Sequence, residues 1–123
     1  MTMFSSGDVV VIGFPFTDLS RHKQRPAIVV NSEVYATRYG DYVFMPLTSV
    51  HQADENTSIQ YWKEAGLLKP SWLKPLLFTL SESIAVKRIG KLHDEDIPAV
   101  IDMIRCMIDA RFRISETGCA GGA

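Results

Sequence analysis

Hydrophobic and polar positions follow two regimes along the chain. From Asp8 to about Gly90, short runs rich in Val, Ile, Tyr and Phe are set off by Gly, Pro, Asn and Asp. Runs of this length and composition predict strands over Asp8–Phe14, Arg25–Asn31, Asp41–Leu47, Thr57–Tyr61 and Ile84–Ile89. The first is continuously apolar rather than alternating, which predicts a strand covered on both faces. From Asp94 to about Phe112 the period changes. Ile97, Val100, Ile101, Ile104, Met107 and Ile108 recur at helical spacing, with Asp102, Arg105 and Asp109 opposite. Asp96 is placed to cap this helix and Pro98 falls in its first turn, where a missing N–H costs nothing. Asp94 and Glu95 lie at its positive end and Arg111 and Arg113 at its negative end, as the helix dipole prefers. Short strands closed by one C-terminal helix predict a mainly β (α+β) fold, a small antiparallel sheet or partial barrel.

With 123 residues, 46% of them apolar and 22% charged, the chain can build one core and has no room for two. The expected organisation is a single domain over residues 1–113 with a flexible tail over 114–123, the end of which is a low-complexity run of small residues. No apolar run approaches the ~20 residues of a spanning helix. The opening Met1–Gly7 has neither a basic nor an apolar signal region, so a cytoplasmic protein is expected. The two cysteines, Cys106 and Cys119, suggest neither a disulfide framework nor a zinc site, and read as free thiols.

Candidate chemistry is sparse. His22, His51 and His93 are widely spaced and read as solvated loop residues; His51 and Asp54 could pair only on a helix, and Val50–Asn56 looks like loop. No metal site and no cofactor are expected, and no glycine-rich phosphate loop or nucleophile elbow is present. The net charge of −1 predicts no polyanionic partner in bulk, yet the cations cluster. Arg21, His22, Lys23 and Arg25 crowd the entrance to the second strand, Lys69 and Lys74 bracket Trp72, and Lys87, Arg88 and Lys91 lie on the last strand. Each cluster reads either as solubilising surface charge or as a phosphate contact, and Trp72 either as core or as a platform for a base. Arg25 is held by Pro26 at a strand entrance, and Thr48-Ser49 places two hydroxyls where another strand ends. A guanidinium fork and a hydroxyl together suit a phosphate oxygen.

Read together, several segments resemble the PemK/MazF family, the toxins of bacterial toxin–antitoxin pairs. They are Gly7-Asp8-Val9-Val10, Phe14-Pro15-Phe16-Thr17-Asp18, Arg25-Pro26-Ala27-Ile28-Val29, Pro46-Leu47-Thr48-Ser49, Glu64-Ala65-Gly66-Leu67-Leu68-Lys69-Pro70-Ser71 and Ile89-Gly90-Lys91-Leu92. No segment is specific alone, but all occur in family order from Gly7 to about Ile108. The resemblance implies a small SH3-like antiparallel β-barrel of the CcdB/PemK type with a C-terminal helix, assembled as a homodimer. It also implies a metal-independent endoribonuclease that cuts single-stranded RNA at the dimer face. Its partner would be a cognate antitoxin with a DNA-binding N-terminal domain and an acidic C-terminal tail.

By the same resemblance Arg25 and Thr48 match the catalytic pair. Attack by a ribose 2′-hydroxyl on the adjoining phosphate would leave 2′,3′-cyclic phosphate and 5′-hydroxyl ends. Arg21, His22, Lys23, Ser49, Lys69, Trp72 and Lys74 would bind the RNA. Arginine is a poor general base, so the proton acceptor is unassigned, with His22 a candidate. The chain departs from some members after the Pro-Ser motif: Lys74-Pro75-Leu76-Leu77-Phe78 stands where they carry an arginine and an acid. Two other readings share the fold. A gyrase poison would need an exposed C-terminal tryptophan, whereas Trp62 and Trp72 are internal. A non-catalytic SH3-like nucleic-acid-binding domain would bind RNA without cutting it.

Overall fold

The computed structural model describes residues 4–14, 23–81, 83 and 85–108. Its elements are β1 (Asp8–Phe14), β2 (Lys23–Val29), α1 (Glu33–Tyr39), β3 (Asp41–Thr48), β4 (Trp72–Leu73), β5 (Phe78–Ser81), β6 (Ala85–Lys91) and α2 (Ile97–Met107), with 3₁₀ turns at Glu55–Thr57 and Asp94–Asp96. The strands form one six-stranded sheet in the order β4-β3-β2-β1-β6, with β5 also on β3. Every pairing is antiparallel. The fold is mainly β with a C-terminal helix, as expected, but the sheet is open: β4 and β6 stand at its two ends rather than pairing into a closed barrel. A two-residue β4 offers too few ladder bonds to close the circle.

Apolar residues pack on both faces of the central strands. Val9, Ile28, Met45, Leu47, Ile59, Leu73, Leu92 and Val100 form one cluster, against which α2 lays Ile97, Ile104 and Met107. Val10, Ile12, Ala27, Val29, Tyr42 and Phe44 form the other, covered by Phe4 and Ala36 of α1. Neighbours in sequence therefore enter opposite clusters, which is why β1 reads as continuously apolar. Val9, Val10 and Ile12 are fully buried.

The structure differs from the sequence reading at several points, most of them set by groups distant in sequence. Thr57–Tyr61 is not a strand; only Ser58 bridges, to Trp72, while the amides of Gln60 and Tyr61 donate to the Asp96 carboxylate at 2.9 and 3.0 Å. Asp96 holds the N-cap position of α2 as expected, but its carboxylate faces the β3–β4 connection and makes no cap bond to the helix, while His93 caps the preceding 3₁₀ turn, its Nδ1 accepting from Glu95 N at 3.0 Å. Helix α1 was not anticipated, although Ser32 caps it by accepting from Tyr35 N and Gly40 ends it in the left-handed conformation. Finally, Cys106 is disulfide-bonded rather than a free thiol, a proximity that sequence spacing cannot reveal. On α2, Pro98 lies in the first turn as expected, but Ile101 and Ile108 are exposed. Asp109, Arg111, Arg113 and the tail lie outside the described residues.

Candidate functional site

The β2–β3 ladder runs Val29↔Phe44, Ile28↔Met45, Ala27↔Pro46 and stops. Pro26 and Pro46 have no N–H to give a ladder, so the strands are free to part here. Extending the register two residues outward sets Arg25 level with Thr48. Between them opens a cleft of about 400 Å³, lined by Arg25, Thr48, Ser49, Lys69 and Ser71 together with Val11, Gln24, Pro26, Leu47, Gly66, Leu67, Leu68 and Ile89.

Each polar group has a local reason for its place. Arg25 is exposed, and neither it nor Lys69 has a carboxylate partner among the described residues. Thr48 Oγ1 accepts from Val50 N at 3.1 Å, which fixes the hydroxyl and leaves its proton free to donate. Ser71 is buried, its hydroxyl donating to Lys69 O at 2.9 Å and shaping the loop that carries Lys69. The wall opposite is β6, where the pairing with β1 skips Ile89 as a bulge. Among the described residues the lining holds two cations and no carboxylate, which makes their local field positive although the chain's net charge is −1.

The structure thus brings Arg25, Thr48, Ser49 and Lys69 into one cleft. Trp72 and Lys74 do not line it: Trp72 pairs across from Thr48 on β4, and exposed Lys74 follows that strand. Lys23 begins β2 opposite Phe14. Arg21 and His22 lie outside the described residues. Of the third cationic cluster, Arg88 is tied to buried Asp8 at 3.1 Å, away from the cleft. Sequence reasoning passed over Gln24, Ser71 and Leu68 as site residues; Leu68 lies on the cleft rim and is 94% exposed, an unusual state for leucine. Among the described residues no three His, Cys, Asp or Glu side chains gather as a metal-ligand group, and no helix is long and apolar enough to cross a membrane.

Sheet, helix and cleft define a small mainly β protein that presents cations and hydroxyls where two proline-interrupted strands part. The chain belongs to the PemK-like, MazF-like toxins of type II toxin–antitoxin systems, whose family model matches residues 5–108. No curated protein matches it in sequence. Among solved structures it is similar to the Mycobacterium tuberculosis toxin MazF-mt6, at 19% identity and a TM-score of 0.64, covering 79% of this chain and 91% of that one. It is also similar to an endoribonuclease in complex with its cognate antitoxin from a mycobacterial species, at 13% identity and 0.64, covering 85% and 91%. A MazE–MazF structure from Deinococcus radiodurans gives 18% identity and 0.63, covering 80% and 90%.

Proposed function

We propose that this toxin is an endoribonuclease that cleaves single-stranded RNA in the Arg25–Thr48 cleft without a metal ion. The observation that carries the reading is the juxtaposition, at the open end of one strand ladder, of a fixed hydroxyl with a guanidinium and an ammonium that have no carboxylate partner among the described residues. Similar chains include proteins described as endoribonucleases, one of them bound to its antitoxin.

The nucleophile belongs to the substrate, so no serine or cysteine triad is required. The ribose 2′-hydroxyl attacks its own phosphate, the bond to O5′ breaks, and the products carry a 2′,3′-cyclic phosphate and a 5′-hydroxyl. The phosphorane between them is crowded and doubly charged. Arg25 supplies two parallel N–H donors to its oxygens, Thr48 a hydroxyl donor, and Lys69 a point charge. Arg21, His22, Lys23, Ser49, Trp72 and Lys74 are assigned to binding the flanking strand. The protein acts as a homodimer in the cytoplasm, and its partner is an antitoxin whose acidic tail competes for the same cations.

The test is incubation of the purified chain with a long unstructured RNA in EDTA, followed by mapping of the ends. Cleavage with 5′-hydroxyl and cyclic phosphate ends is expected. Activity that requires added Mg²⁺ or Mn²⁺, or leaves 5′-phosphates, would overturn the mechanism. Sedimentation should report twice the chain mass.

A further inference from the structure

The mechanism above leaves the 2′-hydroxyl proton without an acceptor, because a guanidinium stays protonated at working pH. The loop that follows Thr48 holds an imidazole prepared for that task. His51 lies three residues beyond Thr48, and its Nε2 meets Glu55 Oε2 at 3.3 Å. Its ring packs edge-on against the indole of Trp72, with centroids 5.0 Å apart at 68°. Trp72 is the direct cross-strand partner of Thr48. Side chains at such paired positions stand on one face of the sheet, with Cβ atoms about 4.5–5.5 Å apart. The imidazole thus touches the indole paired with Thr48 and lies two residues beyond Ser49, the cleft-lining residue that follows β3, without itself lining the cleft.

The loop is tied at each step. Thr48 Oγ1 accepts from Val50 N, Gln52 Nε2 donates to Val50 O at 2.8 Å, and Asp54 Oδ1 accepts from Asn56 N at 2.9 Å. His51 is nonetheless 68% exposed, so a bound strand can reach it. A carboxylate at Nε2 selects the tautomer with its proton there, which leaves the lone pair on Nδ1 facing no partner among the described residues. An exposed, carboxylate-oriented imidazole that follows Thr48 and Ser49 in one tied loop is the kind of group a general base needs.

We propose that His51 accepts the 2′-hydroxyl proton, with Glu55 and Trp72 as positioning residues; this rests on the ribonuclease reading above. The proton passes from the 2′-oxygen to Nδ1 as the new P–O bond forms. The P–O5′ bond breaks, O5′ takes a proton from water, and the resulting hydroxide recovers the proton from the imidazolium. No net proton is consumed. Among the described residues, the Glu55 carboxylate and the neutral indole contact the ring; the neighbouring Asp54 carboxylate accepts from the Asn56 amide.

The experiment compares wild type, His51→Gln, His51→Ala and Glu55→Gln on one RNA in EDTA, across pH 5 to 9, with thermal melts to verify folding. His51→Gln is expected to lower kcat about 10²–10⁴-fold with KM little changed, and to alter the shape of the pH–rate profile. Glu55→Gln should lower kcat by a smaller factor, and free imidazole should restore part of the rate to His51→Ala. If wild type cleaves and His51→Gln keeps both its rate and its pH profile, the assignment of His51 is overturned while the ribonuclease reading stands. If wild type does not cleave RNA at all, both fall together.

Discussion

Gly66 and Gly90 lie back to back where the β3–β4 connection crosses β6. A Cβ on Gly66 would stand 2.2 Å from Ile89 O, and one on Gly90 would stand 2.1 Å from Ala65 O. Gly66 also holds φ at +89°, a conformation that side chains disfavour. Backbone contact of this kind does what a strand pair would do in a closed barrel, and it forms part of the cleft wall through Gly66 and Ile89. Because backbone cannot swing aside, either Gly→Ala change should cost about 1–3 kcal/mol or more, Gly66→Ala the greater. Urea unfolding midpoints measure this; an unchanged midpoint for both would refute the contact.

Arg25→Ala and Thr48→Ala should each lower kcat about 10²–10³-fold, the usual loss of one transition-state donor. Arg25 is exposed, so its removal should leave the melting temperature near that of wild type. Cleavage at the wild-type rate by Arg25→Ala would remove the cleft from the mechanism.

Asp96 is buried and accepts from the amides of Gln60 and Tyr61. Asp96→Ala should destabilise by about 1–3 kcal/mol, because both N–H groups lose their acceptor. Asp96→Asn, which keeps one carbonyl oxygen, should cost less. Equal losses for the two variants would mean that packing, not hydrogen bonding, sets the effect.

Tyr61 stacks on His93 at 3.9 Å, and its hydroxyl lies 3.5 Å from Glu95 Oε1. The negative charge of Glu95 pushes the phenol above the ordinary tyrosine value, with desolvation adding in the same direction. The folded chain then holds this proton to higher pH than the unfolded chain. Its contribution is fully present below the unfolded value of about 10 and is lost as pH rises through the folded value. Glu95→Gln should move the Tyr61 tyrosinate absorbance transition downward; no movement would exclude Glu95 as the cause.

Lys69 lines the cleft and has no acid partner among the described residues, so Lys69→Glu should weaken RNA and an acidic antitoxin-tail peptide together. The slope of log affinity for RNA against log salt should flatten by about 0.7 or more, the loss of one single-strand phosphate contact. Arg21 and Lys23 charge reversals should act in the same direction. Independent, simultaneous binding of peptide and RNA in a competition assay would separate the two sites.

Periodicity alone carried β1, β3 and the start of α2, because each buries enough apolar surface to make its pattern visible. The order of short motifs carried the family, and the resemblance, rather than spacing, singled out Arg25 and Thr48. What sequence could not carry is whatever depends on a distant partner. The stretch Thr57–Tyr61 has strand composition, yet the Asp96 carboxylate, 35 residues and more along the chain, takes its amides. β4 is two residues long and exists only because Leu47 and Thr48 offer it an edge. His51 reads as a solvated loop residue until the fold sets Trp72 against its ring and the 3₁₀ turn brings Glu55 to its nitrogen. Local pattern records which face of an element is apolar; which polar groups meet across the fold is decided by hydrogen bonds and contacts that only tertiary packing closes.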